Sequence, residues 1–317
     1  MSDDLPRPTP RQRLLRVGKR LVQLGLTVVL FWLATRKVNW TDVGAVLARA
    51  NWVWVVVAFL ALNMGQLISA QRFTRMAHFA GIHLPYRLAA WLFYQGMFYN
   101  LVLPGGISGD GYKGYDLNRQ VKGRLRQLIT ALVLERGSGA LALLVLCCAL
   151  VVVFPPPATA AVSAPLLRWI GYFAWGVVVV VPVFLVLRLG KAGLWHWVRA
   201  VQAVLPLSVS VQLCQLGFAL AMALALGVPL GQTPPYLLAF SASSLVAVLP
   251  VSIGGIGARE YVLSHANLAL AVVPEVGILL AMGYNVLYLI SAGLGALPGR
   301  PRQSATALGV TPPASSS

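Results

Sequence analysis

Six blocks of mostly apolar residues, at about 16–35, 51–70, 127–153, 166–188, 207–228 and 276–297, are each long enough to cross a lipid bilayer. A hydrocarbon core ~30 Å thick takes roughly 20 apolar residues of helix. Within lipid a span must also satisfy its own backbone hydrogen bonds, and a helix does so. An ordinary soluble core is excluded: the 317 residues are 58% hydrophobic and only 10% charged, where a soluble domain carries about 25% charged residues. The fold class expected is an all-α polytopic membrane protein. It has about six full transmembrane helices plus two re-entrant or broken helical segments.

Those two segments, 88–104 and 234–250, each run into Leu-Pro and glycine: Leu103-Pro104-Gly105-Gly106 in one, Leu249-Pro250 and then Gly254-Gly255 in the other. Proline removes a helical donor and glycine is a poor helix former, so neither stretch crosses as one unbroken helix. Loop charge sets the threading, because Lys and Arg gather on the cytoplasmic side. The N-terminal arm is basic (Arg11, Arg13, Arg16, Lys19, Arg20). Basic residues return at Arg72, Arg75 and Arg87, at Lys113, Arg119, Lys122, Arg124 and Arg126, at Arg188, Lys191 and Arg199, and at Arg300 and Arg302. These clusters share one side only if both segments enter the membrane and turn back. Arg36, Lys37 and Arg49, in the first outer loop, run against the pattern.

The net charge of +17, from 25 Lys+Arg against 8 Asp+Glu, would suggest nucleic acid in a soluble protein. Here the basic residues lie between apolar blocks, where they set orientation and meet anionic headgroups. No nucleic-acid partner is expected, since no soluble region could host a reader module. Cys147, Cys148 and Cys214 fall inside apolar blocks and read as small core hydrophobes. No Cys/His pair has ligand spacing, so neither metal nor cofactor is expected. Met1–Arg20 is basic and precedes a span without a small-residue cleavage site, which reads as a retained first helix.

Residues 103–115 read LPGGISGDGYKGY and residues 249–261 read LPVSIGGIGAREY. Aligned without gaps at a shift of 146, they share Leu103/Leu249, Pro104/Pro250, Ile107/Ile253, Gly109/Gly255, Gly111/Gly257 and Tyr115/Tyr261, and Lys113 corresponds to Arg259. Three spans separate the copies, so the second is inverted relative to the first. Paired interrupted segments in inverted repeats point to an alternating-access transporter with its site where the breaks meet. Glycines permit the turn, free amides can face an anion, and a basic side chain just beyond complements phosphate. The plainer alternative, interfacial turns with snorkelling Lys and Arg, suits a single copy better than two in register.

Ionisable groups at membrane depth are functional candidates by default. Glu135 and Arg136 stand inside the 127–153 block; being adjacent, they face different ways and each needs a partner on another element. Asp110 and Lys113 beside the first turn, and Arg259 and Glu260 beside the second, are the candidates. A structural clamp on the re-entrant loops is the competing role. Asn100, just before the first turn, is promoted over Asn63, Gln66 and Asn285, which read as interhelical hydrogen bonds. The substrate-binding set is thus Asn100, Gly105, Gly106, Asp110, Lys113, Glu135, Arg136, Gly254, Gly255, Arg259 and Glu260. No catalytic constellation stands out. Gly109–Gly114 fits a dinucleotide fingerprint without its βαβ context. Gly106-Ile107-Ser108-Gly109 resembles a rhomboid-type protease motif, but that chemistry needs a histidine base on a later span, and His265, the only histidine after Arg199, sits in a connecting segment.

The second motif copy from Leu249 to Glu260, the first from Leu103 to Asp110, and Glu135-Arg136 together resemble the lysylphosphatidylglycerol synthase transmembrane-region family, also called flippase-like or UPF0104 membrane proteins. The resemblance covers about 15–300; the first copy departs in the loose placement of its basic residue, Lys113. It implies a lipid flippase module moving a phospholipid or a polyprenyl-phosphate-linked lipid between leaflets. Synthase members add a soluble aminoacyl-transferase domain, for which 317 residues leave no room, so lysyl transfer is not expected. The domain reading is a basic cytoplasmic arm at 1–15, one transmembrane flippase-like domain at 16–299 and a disordered tail at 300–317. The chain is expected in the bacterial inner membrane with both termini cytoplasmic, and not to be an enzyme. Its expected partners are an anionic lipid or lipid-linked substrate and the membrane, with a lipid-modifying enzyme or a homo-oligomer as protein partners. An accessory protein presenting a lipid intermediate to a glycosyltransferase is the alternative function, and an intramembrane enzyme the last.

Overall fold

The computed structural model describes residues 32, 40–102, 108–120, 125–154, 195, 198–248, 256–270 and 272–295, and its described elements are all helical. Ten α-helices follow in order: α1 Trp40–Ala48, α2 Trp52–Phe79, α3 Tyr86–Val102, α4 Ser108–Gln120, α5 Leu125–Val153, α6 Val198–Ala225, α7 Pro234–Val248, α8 Ala258–His265, α9 Asn267–Leu270 and α10 Pro274–Gly295. Four of them, α2, α5, α6 and α10, are long and apolar enough to span a bilayer. They answer to four of the six expected blocks, and the chain is an all-α polytopic membrane protein. The blocks at 16–35 and 166–188, the arm at 1–15, the tail at 300–317 and the motif glycines Gly105, Gly106, Gly254 and Gly255 lie outside the described residues.

Boundaries differ from the sequence expectation at several points. Helix α6 begins at Val198 where the apolar block begins near 207, which moves Arg199 from a loop into a helix. The helix α2 continues to Phe79 where the apolar block stops near 70, which moves Arg72 from a loop into a helix. Its last turns are polar in sequence but packed on one face, burying Ser69, Arg72, Phe73 and Met76. Helix α1 stands in the first outer loop, where no element was expected, and buries Val43.

The described part of each motif copy, 108–115 and 256–261, belongs to the second arm of a helical hairpin, α3–α4 in the first and α7–α8 in the second. Across the first, Gly96 approaches Gly109, Tyr99 stacks on Tyr112 with centroids 4.0 Å apart, and the Lys113 ammonium lies over the Phe93 ring. Asn100 meets Gly109 while Phe93 meets Lys113, so later residues of α4 meet earlier residues of α3 and the two helices run antiparallel. Across the second, Arg259 meets Ser244 while the Val273 amide bonds the Tyr236 hydroxyl, the same antiparallel order. This is the reversal expected of segments that enter and turn back.

The 146-residue shift extends well past the motif. Helices α2 and α6 end alike: the Ile82 amide bonds the Ala77 carbonyl at 2.9 Å, the Val228 amide bonds the Ala223 carbonyl at 3.0 Å, and Gly81 and Gly227 both have positive φ, 75° and 83°. These are two Schellman caps, a conformation in which glycine avoids the Cβ penalty, at positions 146 apart. The repeat is therefore α2–α5 against α6–α10. Ala61 faces Gly217, Gly65 faces Cys214 and Arg72 faces Ser208, so the equivalent helices α2 and α6 run antiparallel. Equivalent helices that cross in opposite directions are the mark of an inverted repeat.

The repeats also interlock. From the first hairpin, Gln95 donates to the Gly295 carbonyl and Asn100 reaches the Tyr288 hydroxyl, both on α10. From the second, Leu245 packs with Leu143, Leu144 and Cys147 on α5. Each hairpin thus leans on the last helix of the other repeat. Lipid offers little hydrophobic drive between helices, so close approach at small residues and interhelical hydrogen bonds carry the packing. Gly65, Gly96 and Gly217 supply the first; Asn63, which donates to Ser291 and accepts from Tyr94, supplies the second.

Candidate functional site

Where α2 crosses α6, a cavity of about 250 Å³ opens between α2, α3, α4, α5, α6 and α10. Gln66 and Gln212, which correspond under the 146-residue shift, both line it, so it sits at the crossing of the two repeats. Five charged residues also line it: Arg72, Asp110, Lys113, Glu135 and Arg136.

Glu135 and Arg136 take separate partners, as adjacent helical residues must. Glu135 pairs with Arg72 across to α2, both almost fully buried. Arg72 also donates to Ser208 at 3.3 Å, and Ser208 bonds Ser138, itself bonded to the Glu135 carbonyl. The Nε of Arg72 is buried without a hydrogen-bond partner among the described residues. Arg136 pairs with Asp110 at the start of α4, and Lys113, one turn on, places its ammonium 2.6 Å from the same carboxylate. Lys113 is further held 3.9 Å from the Phe93 ring centre, a cation–π contact. The lining charges are three basic and two acidic, a surplus of one positive charge.

Asn100 joins the two arms of the first hairpin. Its side-chain oxygen accepts from the Gly109 amide at 2.7 Å and from Ser108 at 3.2 Å, occupying donors at the free start of α4. The Ser108 hydroxyl is thereby engaged with helix ends, also at the Tyr99 carbonyl. A Cβ on Gly109 would press on the Gly96 carbonyl and lie 2.9 Å from the Asn100 amide, so the approach requires glycine.

The second hairpin builds a different environment. Arg259 is buried, bonds Ser244 at 2.8 Å, and stands 4.3 and 4.9 Å from the Tyr284 and Phe240 ring centres. Glu260 accepts from the Gly257 amide at 2.7 Å and from Asn285, pinning the start of α8. Gly257 has φ 84°, which a residue with a Cβ resists. Its counterpart Gly111 lies within α4 and faces open space, so the shared glycine serves two purposes.

The structure thus brings Asn100, Asp110, Lys113, Glu135 and Arg136 to one cavity. Arg259 and Glu260 do not line it: Tyr284 covers Arg259 and stacks at 5.9 Å on Tyr288, which forms the cavity wall. Nor do they partner Glu135 or Arg136. Sequence reasoning missed Arg72, Gln66, Gln212 and Tyr288. Arg72 was readable in principle, since Glu135 inside a span needs a cation. The glutamines were readable from the shift of 146.

Residues 20–295 match the family model described as the lysylphosphatidylglycerol synthase TM region. No curated protein matches the chain.

Proposed function

The chain belongs to the lysylphosphatidylglycerol synthase transmembrane-region family, a membrane family of lipid metabolism or transport, and from this premise we propose that it is a lipid translocase of the bacterial inner membrane. The observation that carries the reading is the cavity at the repeat crossing with its surplus cation. An anionic headgroup entering it gains Lys113 and Arg136 as partners, and the unmatched Arg72 Nε is a further donor for phosphate. Charge-assisted hydrogen bonds of this kind are the strong ones, and they strengthen as water is excluded. Alternating exposure comes from rocking one repeat against the other about α2 and α6, with no covalent step. On this reading both termini lie in the cytoplasm, on the strength of the basic clusters alone, and a reporter fused near Arg124 is expected to read cytoplasmic and one near Gly231 periplasmic.

The test is purified protein in vesicles containing fluorescent phosphatidylglycerol, with quenching of the outer leaflet following transfer. Wild type moves the lipid, and Lys113→Gln, which cancels the surplus charge, slows it at least tenfold. Undiminished transfer by Lys113→Gln refutes the site. No transfer of any anionic lipid favours a protein that presents a lipid intermediate to a glycosyltransferase.

A further inference from the structure

A second, open cavity of about 450 Å³ lies on the outer flank of the first hairpin, between α4 and α5. Its α5 wall is Leu125, Ile129, Leu132 and Val133, one helical face. Leu125, Ile129 and Val133 are each more than a third exposed. Its α4 wall is cut low by glycine: a Cβ on Gly111 would meet nothing within 4 Å. Asp110 and Arg136 line both this groove and the inner cavity, so their ion pair is the partition between the two.

The sizes decide what each can hold. Sites that enclose whole drug-sized ligands run from about 300 to 1,000 Å³. The inner cavity falls below that range, enough for a headgroup and too small for a lipid. The tails of any lipid whose phosphate reaches Lys113 must therefore lie elsewhere. The groove begins at the same two residues, and its apolar walls face outward.

We propose that the α4–α5 groove is the acyl-chain site of the translocase: a lipid enters sideways between α4 and α5 with its phosphate replacing Asp110 at Arg136 and one chain lying along Gly111 and Ile129. This rests on the translocase reading for its lipid and adds the route. Arg136 is suited to the exchange, because its side chain is 36% exposed while Asp110 is 12% exposed. An entering phosphate meets a guanidinium that can be shared bidentately, and the released carboxylate keeps Lys113 at 2.6 Å. Gly111 keeps the chain's path open; any side chain there projects into it.

The probe is phosphatidylglycerol carrying a photoreactive diazirine midway along one chain, mixed into phosphatidylcholine vesicles with the full-length protein. After illumination, label is mapped by peptide mass spectrometry. Adducts concentrate on 111–118 and 125–133, and Gly111→Trp lowers them at least fivefold. Adducts on the outward face of α10 at Val286, Leu289 and Ile290 stay unchanged. Ile129→Trp, filling the groove from the other wall, gives the same loss and guards against a folding defect in one variant. Label spread over all outward faces in proportion to area, or label on 111–118 that persists in both variants, overturns the proposal. The transfer assay is read separately. Groove labelling without transfer retains the binding site and removes the translocase; transfer without groove labelling does the reverse.

Discussion

Removing the Glu135 carboxylate isolates a buried guanidinium. Arg72 and Glu135 are 6% and 4% exposed, so little of either reaches water when its partner is lost. Breaking one side of such a pair costs roughly 3–5 kcal/mol, because the remaining charge is buried and uncompensated. The Ser208 hydroxyl, at 3.3 Å from Arg72, is a neutral partner worth about 1 kcal/mol at most. The expected destabilisation of Glu135→Ala is therefore about 3 kcal/mol. At roughly 2–4 °C per kcal/mol for a domain of 150–250 residues, this lowers Tm by about 6–12 °C. Exchanging both residues, Arg72→Gln with Glu135→Gln, removes both charges and leaves two amides able to bond. The double variant should then be more stable than Glu135→Ala, with a coupling energy of at least ~2 kcal/mol. Thermal unfolding of wild type, Arg72→Gln, Glu135→Gln and the double variant in one detergent measures the cycle, with Glu135→Ala run alongside. Additive losses, or a Glu135→Ala protein within ~0.5 kcal/mol of wild type, would show that water reaches the guanidinium and that the pair is not a buried clamp.

Four further variants separate the roles of individual residues. Gly109→Ala forces a Cβ against the Gly96 carbonyl and the Asn100 amide, so it should lower unfolding stability by about 1–3 kcal/mol, while Gly111→Ala, into open space in the same helix, should raise it by about 0.5–1 kcal/mol. Gly257→Ala, at φ 84°, should cost about 1–2 kcal/mol in the same measurement. Asp110→Asn leaves Lys113 and Arg136 facing each other and raises the cavity's surplus from one positive charge to two. It should bind phosphatidylglycerol at least threefold more tightly at low ionic strength and lose that gain in high salt.

Hydropathy and proline made the scaffold legible, because both act locally: apolar blocks need no knowledge of what they touch, and Leu-Pro-Gly breaks a helix wherever it stands. The motif also disclosed the repeat, and Asp110 with Arg136 emerged from asking what each charge could reach. Arg72 was lost for a physical reason. The stretch Gln71–His78 averages polar, so a hydropathy window ends the span before it, yet the helix continues because Phe73, Met76 and Ala77 bury one face. The separation of Lys113 from Arg259 was equally hidden. Their shared position in the motif gives no sign that Tyr284 and Phe240 close over one of them.

The symmetry of the backbone makes the asymmetry of the chemistry informative. Under the same shift, Arg72 corresponds to Phe218, Asp110 to Ile256, Glu135 to Ala281 and Arg136 to Met282. Of the polar cluster, only the motif cation and the paired glutamines recur. In the second repeat Phe218 is fully buried 5.3 Å from Tyr284 and 5.5 Å from Phe240, the two rings that cover Arg259. One cation is thus answered by a carboxylate, the other by ring faces and serine hydroxyls. A carboxylate can yield to a phosphate that offers the same contacts, whereas an aromatic enclosure has nothing to exchange. On the translocase reading, the substrate's charge is held on the first repeat and the second is the surface against which that repeat moves. The contacts of α3 with α10 and of α7 with α5 tie each hairpin to the last helix of the other repeat, and on the same reading they pass the motion of one repeat to the other.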